Sequence, residues 1–536
     1  MTTDAEPAHS IAPQTATLPA LLKDTSSGID APYLLCLDRD WTYAEFTRAV
    51  DELAAGLLAT GIRRGDRIAI AAPNSAQWLI TWFAVTKIGA ILVTLNIAYR
   101  EREFDYMLNQ SAAVMLVCCA RDGDFDFVEF VQKLRTRIPT VHHYVFLGDD
   151  GFAGSHRWED LLIPGPAAAD TLAQAESTVQ PDDPAVILYT SGTTGDPKGA
   201  TLTHASILAS ARAQAEHLGQ NSYDVAIGHM PLNHVGGMTC TVAATMLTRG
   251  RVALLPRYSP KLALEAIDHR KVTIFIGVPT MYTMMMDLAE FPAADTTSVR
   301  TCVIGGSNVE PAMGRRILDT FSGARLANLY GLSETSGGCI ISAPDDDLDT
   351  LVATLGVGIG DFEIRITDDD HTPLPPGREG DLHIRGGCVA GGYWDNPAES
   401  DRAFLPDGWL VTGDIAVQRP DGRVALCGRK KEMYVRSGYN VYPVEIENVL
   451  AADQSVAMCA VVGIPDAMYG EVGHAYVVPV QGTDIDVDAL FDRCAKQLAK
   501  YKIPAQIHVV NSLPLTPSGK IKKVTLSAAA RENATL

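Results

Sequence analysis

The chain has 536 residues, too long for one hydrophobic core, so two or more domains are expected. Its 44 Lys and Arg against 64 Asp and Glu leave a formal charge of −20, which argues against nucleic acid or an anionic membrane surface as a partner. A hydrophobic fraction of 47% fits a soluble globular protein, and no stretch reaches the roughly 18 consecutive apolar residues of a spanning helix. Ten cysteines occur without a C-x-x-C pair or a zinc-like spacing. Residues 1–20 lack a basic region followed by an apolar core, so reduced thiols, no export signal and a cytoplasmic location are expected.

In chain order, residues 1–30 read as a weakly ordered lead-in. Residues 41–46 open a helical pattern that Leu53, Leu57 and Leu58 continue. A Gly65-Asp66 turn enters a strand, residues 77–89 are helical, and 90–95 form a strand. Residues 102–109 and 113–118 repeat the helix and strand. Alternation at these lengths predicts an α/β fold with a parallel, doubly wound sheet. Residues 164–183, rich in Pro, Ala and acids, read as a surface linker.

The apolar run Ala185-Val186-Ile187-Leu188 then enters Tyr189-Thr190-Ser191-Gly192-Thr193-Thr194-Gly195-Asp196-Pro197-Lys198-Gly199, followed by a helix that Thr203 would cap. Glycines let backbone N–H groups face an anion, hydroxyls add donors, and Lys198 adds a mobile charge. The combination is a polyphosphate grip. It is not a Walker A loop, because Gly199 follows the lysine and the G-x-x-x-x-G-K spacing is absent. The bland alternative is a solvated turn.

These eleven residues resemble the phosphate loop of the adenylate-forming superfamily, which includes acyl-CoA synthetases, luciferases and adenylation domains. The resemblance runs over about residues 40–525, with companion motifs in family order. Met230-Pro231-Leu232-Asn233-His234-Val235-Gly236-Gly237-Met238 implies His234 beside the acyl carboxylate, with Asn233 where many relatives carry an aromatic. Gly305, Gly306 and Ser307 form a turn where a flat base could approach. In Asn328-Leu329-Tyr330-Gly331-Leu332-Ser333-Glu334-Thr335 the resemblance implies nucleotide contacts from Asn328, Tyr330, Gly331 and Ser333. Tyr330 would stack on adenine, Ser333 would lie near the α-phosphate, and Glu334 would ligate Mg²⁺. Asp414, in Thr412-Gly413-Asp414, would accept bonds from ribose hydroxyls, joined by Arg429. Lys431 falls at the hinge position, and Ser437, Gly438 and Tyr439 would border the pantetheine tunnel. In Pro514-Leu515-Thr516-Pro517-Ser518-Gly519-Lys520 the lysine sits at a turn tip, where a point charge suits an oxyanion of the transition state.

The resemblance implies a large N-terminal domain of doubly wound sheets, residues 1–428, and a small mobile α+β C-terminal domain, residues 429–536. It implies an ATP-, CoA- and Mg²⁺-dependent acid–thiol ligase: the acid becomes acyl-AMP, then a thioester. Glycines 236, 237, 305, 306, 337 and 338 would cluster at the acyl tunnel, and their small volume points to a medium-to-large apolar acid. Three alternatives stay open: transfer to the phosphopantetheine of a carrier protein, one half-reaction only, or a nucleotide-binding protein without turnover. A homo-oligomer is also left open.

Overall fold

The computed structural model describes residues 16–27, 30–163, 169–190, 196–306, 309–480, 482–515 and 521–534. The expected α/β architecture is present. Among the described residues a seven-stranded sheet runs in the order Lys198–Thr203, Pro184–Thr190, Ile91–Thr94, Arg67–Ala71, Met115–Cys119, His143–Leu147, His156–Arg157. All its neighbours are parallel except the first pair. A nine-stranded sheet contains Ile274–Gly277, Thr301–Gly305 and Arg325–Leu332 side by side in parallel, then Gly337–Ile341 antiparallel. The central strands are continuous apolar runs, as strands covered on both faces require.

Helix Ala76–Lys87 is buried almost all round, which fits a sequence apolar on every face. Its Trp78, Trp82 and Phe83 share one core with Leu92 and Leu188 of the first sheet and Val252 and Leu254 of the second. A four-stranded antiparallel sheet, Glu363–Thr367 to Val424–Arg429, packs on the second sheet through Ile340, Ile366 and Ile384. A five-stranded sheet follows, from Tyr434–Arg436 to Gln506–Val509, with its own core around Tyr434, Val461 and Leu490.

Three expectations need correction. The lead-in contains helix Leu18–Ser26, capped by Thr17 and buried through Leu18, Leu21 and Leu22; three apolar residues one turn apart outweigh the polar flanks. The supposed linker 164–183 contains helix Ala169–Ser177, which buries Leu172. The phosphate loop does not lead straight into a helix. Thr190 and Lys198 are register partners in an antiparallel hairpin, and strand Lys198–Thr203 intervenes. Thr203 caps the next helix, as expected, in a reciprocal pair with Ser206.

Candidate active site

The hairpin edge fixes Lys198. Residues 391–394 lie along strand Lys198–Thr203: Gly391 N–H donates to the Thr201 carbonyl, Thr201 N–H donates to the Gly392 carbonyl, and Trp394 N–H donates to the Gly199 carbonyl at 2.7 Å. This places the Tyr393 ring 5.2 Å from the Lys198 ammonium. The Tyr393 hydroxyl donates to Glu334 Oε1 at 2.7 Å. Lys198 Nζ also pairs with Glu399. One chain of contacts therefore joins the phosphate-loop lysine to the candidate metal ligand. Of the loop itself, Thr190 is described, with its hydroxyl 3.4 Å from the Lys198 carbonyl; Ser191, Gly192, Thr193 and Thr194 lie outside the described residues.

Strand Arg325–Leu332 carries the next group and ends in the turn Ser333–Thr335 that presents Glu334. Tyr330 donates its hydroxyl to Asp414 Oδ2 at 2.5 Å, and Asp414 Oδ1 lies 3.0 Å from Arg429 Nε. Asp414 is only 2% exposed, so its charge is balanced by Arg429 across the register pair of their two strands. Burial, and then the Asp414 charge, hold the Tyr330 phenol protonated far above its usual range. Ser333, the first residue of that turn, is buried.

Asn328 and Gly331 do something more structural than sequence reasoning assigned them. The Asn328 amide donates to the Thr354 carbonyl at 3.0 Å inside the core. A Cβ on Gly331 would collide with the Gly337 carbonyl, so this glycine lets two antiparallel strands approach. Gly306 turns at φ 79°, and Ser307 lies outside the described residues.

His234 caps the short helix Val235–Gly237, its Nδ1 accepting from Gly236 N–H at 3.1 Å. That bond leaves the proton of a neutral ring on Nε2. Asn74, which no motif contains, holds this segment. Its amide donates to the Gly228, Met230 and Leu255 carbonyls and its Oδ1 accepts from Leu232 N–H at 3.0 Å. The helix continues as a π-helix, Met238–Ala243, an irregularity that commonly marks functional sites.

The glycine argument for pocket volume fails at Gly237. An added Cβ would collide with the Pro231 carbonyl and lie 2.7 Å from the Met230 carbonyl, both backbone atoms that cannot swing away. Gly237→Leu is therefore expected to destabilise the fold by at least about 1–3 kcal/mol. Chemical denaturation checks this, and activity on a panel of acids should fall uniformly. A selective loss of bulky acids with unchanged stability would restore the tunnel-wall reading.

Four-stranded and five-stranded sheets meet at residues 430–433, which include the exposed Lys431. Lys430 beside it is anchored on Asp369 and Asp381, at 2.8 Å each. Ser437 and Gly438 both take positive φ, 53° and 84°, and Tyr439 is 58% exposed with its ring stacked 4.6 Å from Tyr501. Lys520 lies outside the described residues. Its flanks are pinned: Leu515 and Ile521 form a bridge, and Lys522 N–H donates to the Pro514 carbonyl at 2.7 Å.

Tyr393 and Glu399 are the contacts that sequence reasoning missed. Asn396-Pro397 does announce a helix start, with Asn396 as the observed cap. No spacing could relate Glu399 to a lysine on a distant strand.

A family model described as AMP-binding enzyme matches residues 24–394, and one described as AMP-binding enzyme C-terminal domain matches residues 445–520. A feruloyl-CoA synthase of Amycolatopsis sp is 34% identical over 488 residues, spanning 90% of this chain and 92% of its own. A medium-chain fatty-acid–CoA ligase of Escherichia coli (strain K12) is 33% identical over 490 residues, spanning 91% and 85%. The solved structure of an anthranilate CoA ligase in complex with anthranoyl-AMP matches with a TM-score of 0.87 at 25% identity, over 98% of this chain and 99% of that one.

Proposed function

The chain belongs to the AMP-binding enzyme family, and from that premise we propose how its residues divide the work of an acyl-CoA ligase. It is an ATP-dependent, AMP-forming acid–thiol ligase. A carboxylate oxygen attacks the α-phosphorus of ATP and pyrophosphate leaves. The CoA sulfur then attacks the acyl carbonyl and AMP departs. Activation precedes transfer because a carboxylate has no usable leaving group.

The observation that carries the site assignment is the contact chain from Lys198 through Tyr393 to Glu334. It links an ammonium and a carboxylate through one tyrosine, which suits a site for a polyphosphate and its cation. In this reading Lys198, with Thr190, Ser191, Gly192, Thr193 and Thr194, grips the β- and γ-phosphates. Asp414 and Arg429 hold the ribose, Tyr330 and Ser333 flank the base and α-phosphate, and His234 presents its Nε2 proton to the acyl carboxylate. Among the described residues no group of three or more His, Cys, Asp or Glu could cage a metal. A single carboxylate oriented by Tyr393 suits Mg²⁺, which prefers one or two carboxylates plus phosphate oxygens. Glu334 would hold the ion, whose charge would offset that of the departing pyrophosphate.

We place the pivot of the C-terminal part at 430–433, with Ser437, Gly438 and Tyr439 bordering the thiol channel. The acid is medium to large and apolar. Support comes from the feruloyl and medium-chain relatives rather than from glycine counts. A cytoplasmic setting is supported by ten free cysteines. No helix among the described residues is long and apolar enough to cross a membrane. The test is carboxylate-dependent exchange of labelled pyrophosphate into ATP, with thioester formation followed separately. Exchange with apolar acids and a CoA thioester as product are expected. Exchange without a CoA thioester, but with loading of a carrier protein, would overturn the acceptor assignment.

A further inference from the structure

Lys198 has a partner outside every phosphate motif. Glu399, in helix Pro397–Ala403, pairs through Oε2 with Lys198 Nζ, the two side chains being 27% and 20% exposed. Its other oxygen, Oε1, accepts from Arg402 at 2.5 Å. The Lys198 contact first, and Arg402 in addition, hold the Glu399 carboxyl below its usual range, so it is ionised at neutral pH. An ammonium is a compact charge on a flexible stem, and it responds to whichever anion lies nearest. A polyphosphate on the neighbouring loop competes with Glu399 for that charge. The Arg402 contact would leave Glu399 paired if the lysine turned to such an anion, so the exchange would strand no partly buried carboxylate.

We propose that Glu399 is the counter-anion of Lys198: a positioning residue that yields the ammonium to the polyphosphate of ATP and reclaims it as pyrophosphate leaves. The inference rests on the phosphate-loop reading above. Its consequence has a definite sign. A residue that merely shaped the site would bind phosphate less well when changed, whereas a competitor for Lys198 lowers pyrophosphate affinity while it is present. Glu399→Gln keeps shape and removes the charge.

The measurement is titration calorimetry of pyrophosphate, and of ATP, against the full-length enzyme at fixed ionic strength. Glu399→Gln should tighten pyrophosphate about 2- to 5-fold, the range that a partly exposed ion pair supports. In kinetic assays pyrophosphate should become a correspondingly stronger product inhibitor. Glu399→Asp, one methylene shorter, should tighten it less, and it reads the same contact if the glutamine variant folds poorly. In a Lys198→Gln background, Glu399→Gln should change nothing. Weaker or unchanged binding in the single variant would overturn the proposal. Equal tightening with and without Lys198 would overturn it too, since that result reports only the removal of a nearby negative charge. If the wild-type enzyme binds neither pyrophosphate nor ATP, the phosphate-loop reading itself fails and takes this inference with it.

Discussion

Replacing Lys520 by alanine should slow acyl-adenylate formation about 10²- to 10³-fold, the usual loss for one preorganised donor to a developing oxyanion. Thioester formation from supplied acyl-AMP should stay near the wild-type rate. Leu515 and Ile521 form a bridge on either side of the segment that carries Lys520. Lys523, three residues on, is clamped between Glu432 and Glu447 at 2.7 and 2.8 Å. Burial raises the Glu447 carboxyl above its usual range, and the Lys523 charge opposes that rise, so the partly buried carboxylate depends on the lysine. Glu432 belongs to the 430–433 connection, so Lys523 is tied to the segment about which the C-terminal part is proposed to pivot. Pyrophosphate exchange and thioester formation, measured separately on the same preparation, decide the matter. Equal damage to both half-reactions would remove Lys520 from its assigned step.

What the sequence disclosed follows the range of the interactions concerned. Thr203 was legible as a cap because its partner, Ser206, lies three residues away. The strands Ile91–Thr94 and Met115–Cys119 were legible because sheets covered on both faces need unbroken apolar runs. Asp414 and Arg429 were both named, but their pairing with each other and with the Tyr330 hydroxyl appears only once three strands are laid side by side. Tyr393 and Glu399 were not found at all. Tyr393 follows Gly391-Gly392, a pair that no lysine, acid or hydroxyl cluster marks as a site, Glu399 lies in a polar helix, and each acts through a partner on another strand or turn.

The errors have a common cause as well. Composition suggested a linker at 164–183, yet one buried leucine among alanines suffices to dock a helix. Gly237 reads from sequence as empty volume, whereas another stretch of backbone occupies the place of its missing Cβ, as it does at Gly331. Small side chains mark close approach as readily as they mark a pocket, and only coordinates distinguish the two.

Gly438 is the contrasting case, and it carries the second large effect. An added Cβ there meets nothing within 4 Å, so a side chain would project into open space rather than into backbone. If residues 437–439 border the thiol channel after the C-terminal part rotates, Gly438→Trp fills that channel in the second half-reaction only. Overfilling a close-fitting passage costs about 1–3 kcal/mol, so thioester formation should fall roughly 5- to 150-fold while pyrophosphate exchange persists. The position has φ 84°, where any side chain strains the backbone, so bulk must be separated from strain. Gly438→Ala carries the strain without the bulk. It should lose some thermal stability, as the tryptophan variant will, but keep most of its thioester activity. If alanine and tryptophan impair transfer equally, strain in the turn is responsible and the channel lies elsewhere. If tryptophan leaves transfer intact, residues 437–439 do not border the path of the thiol at all.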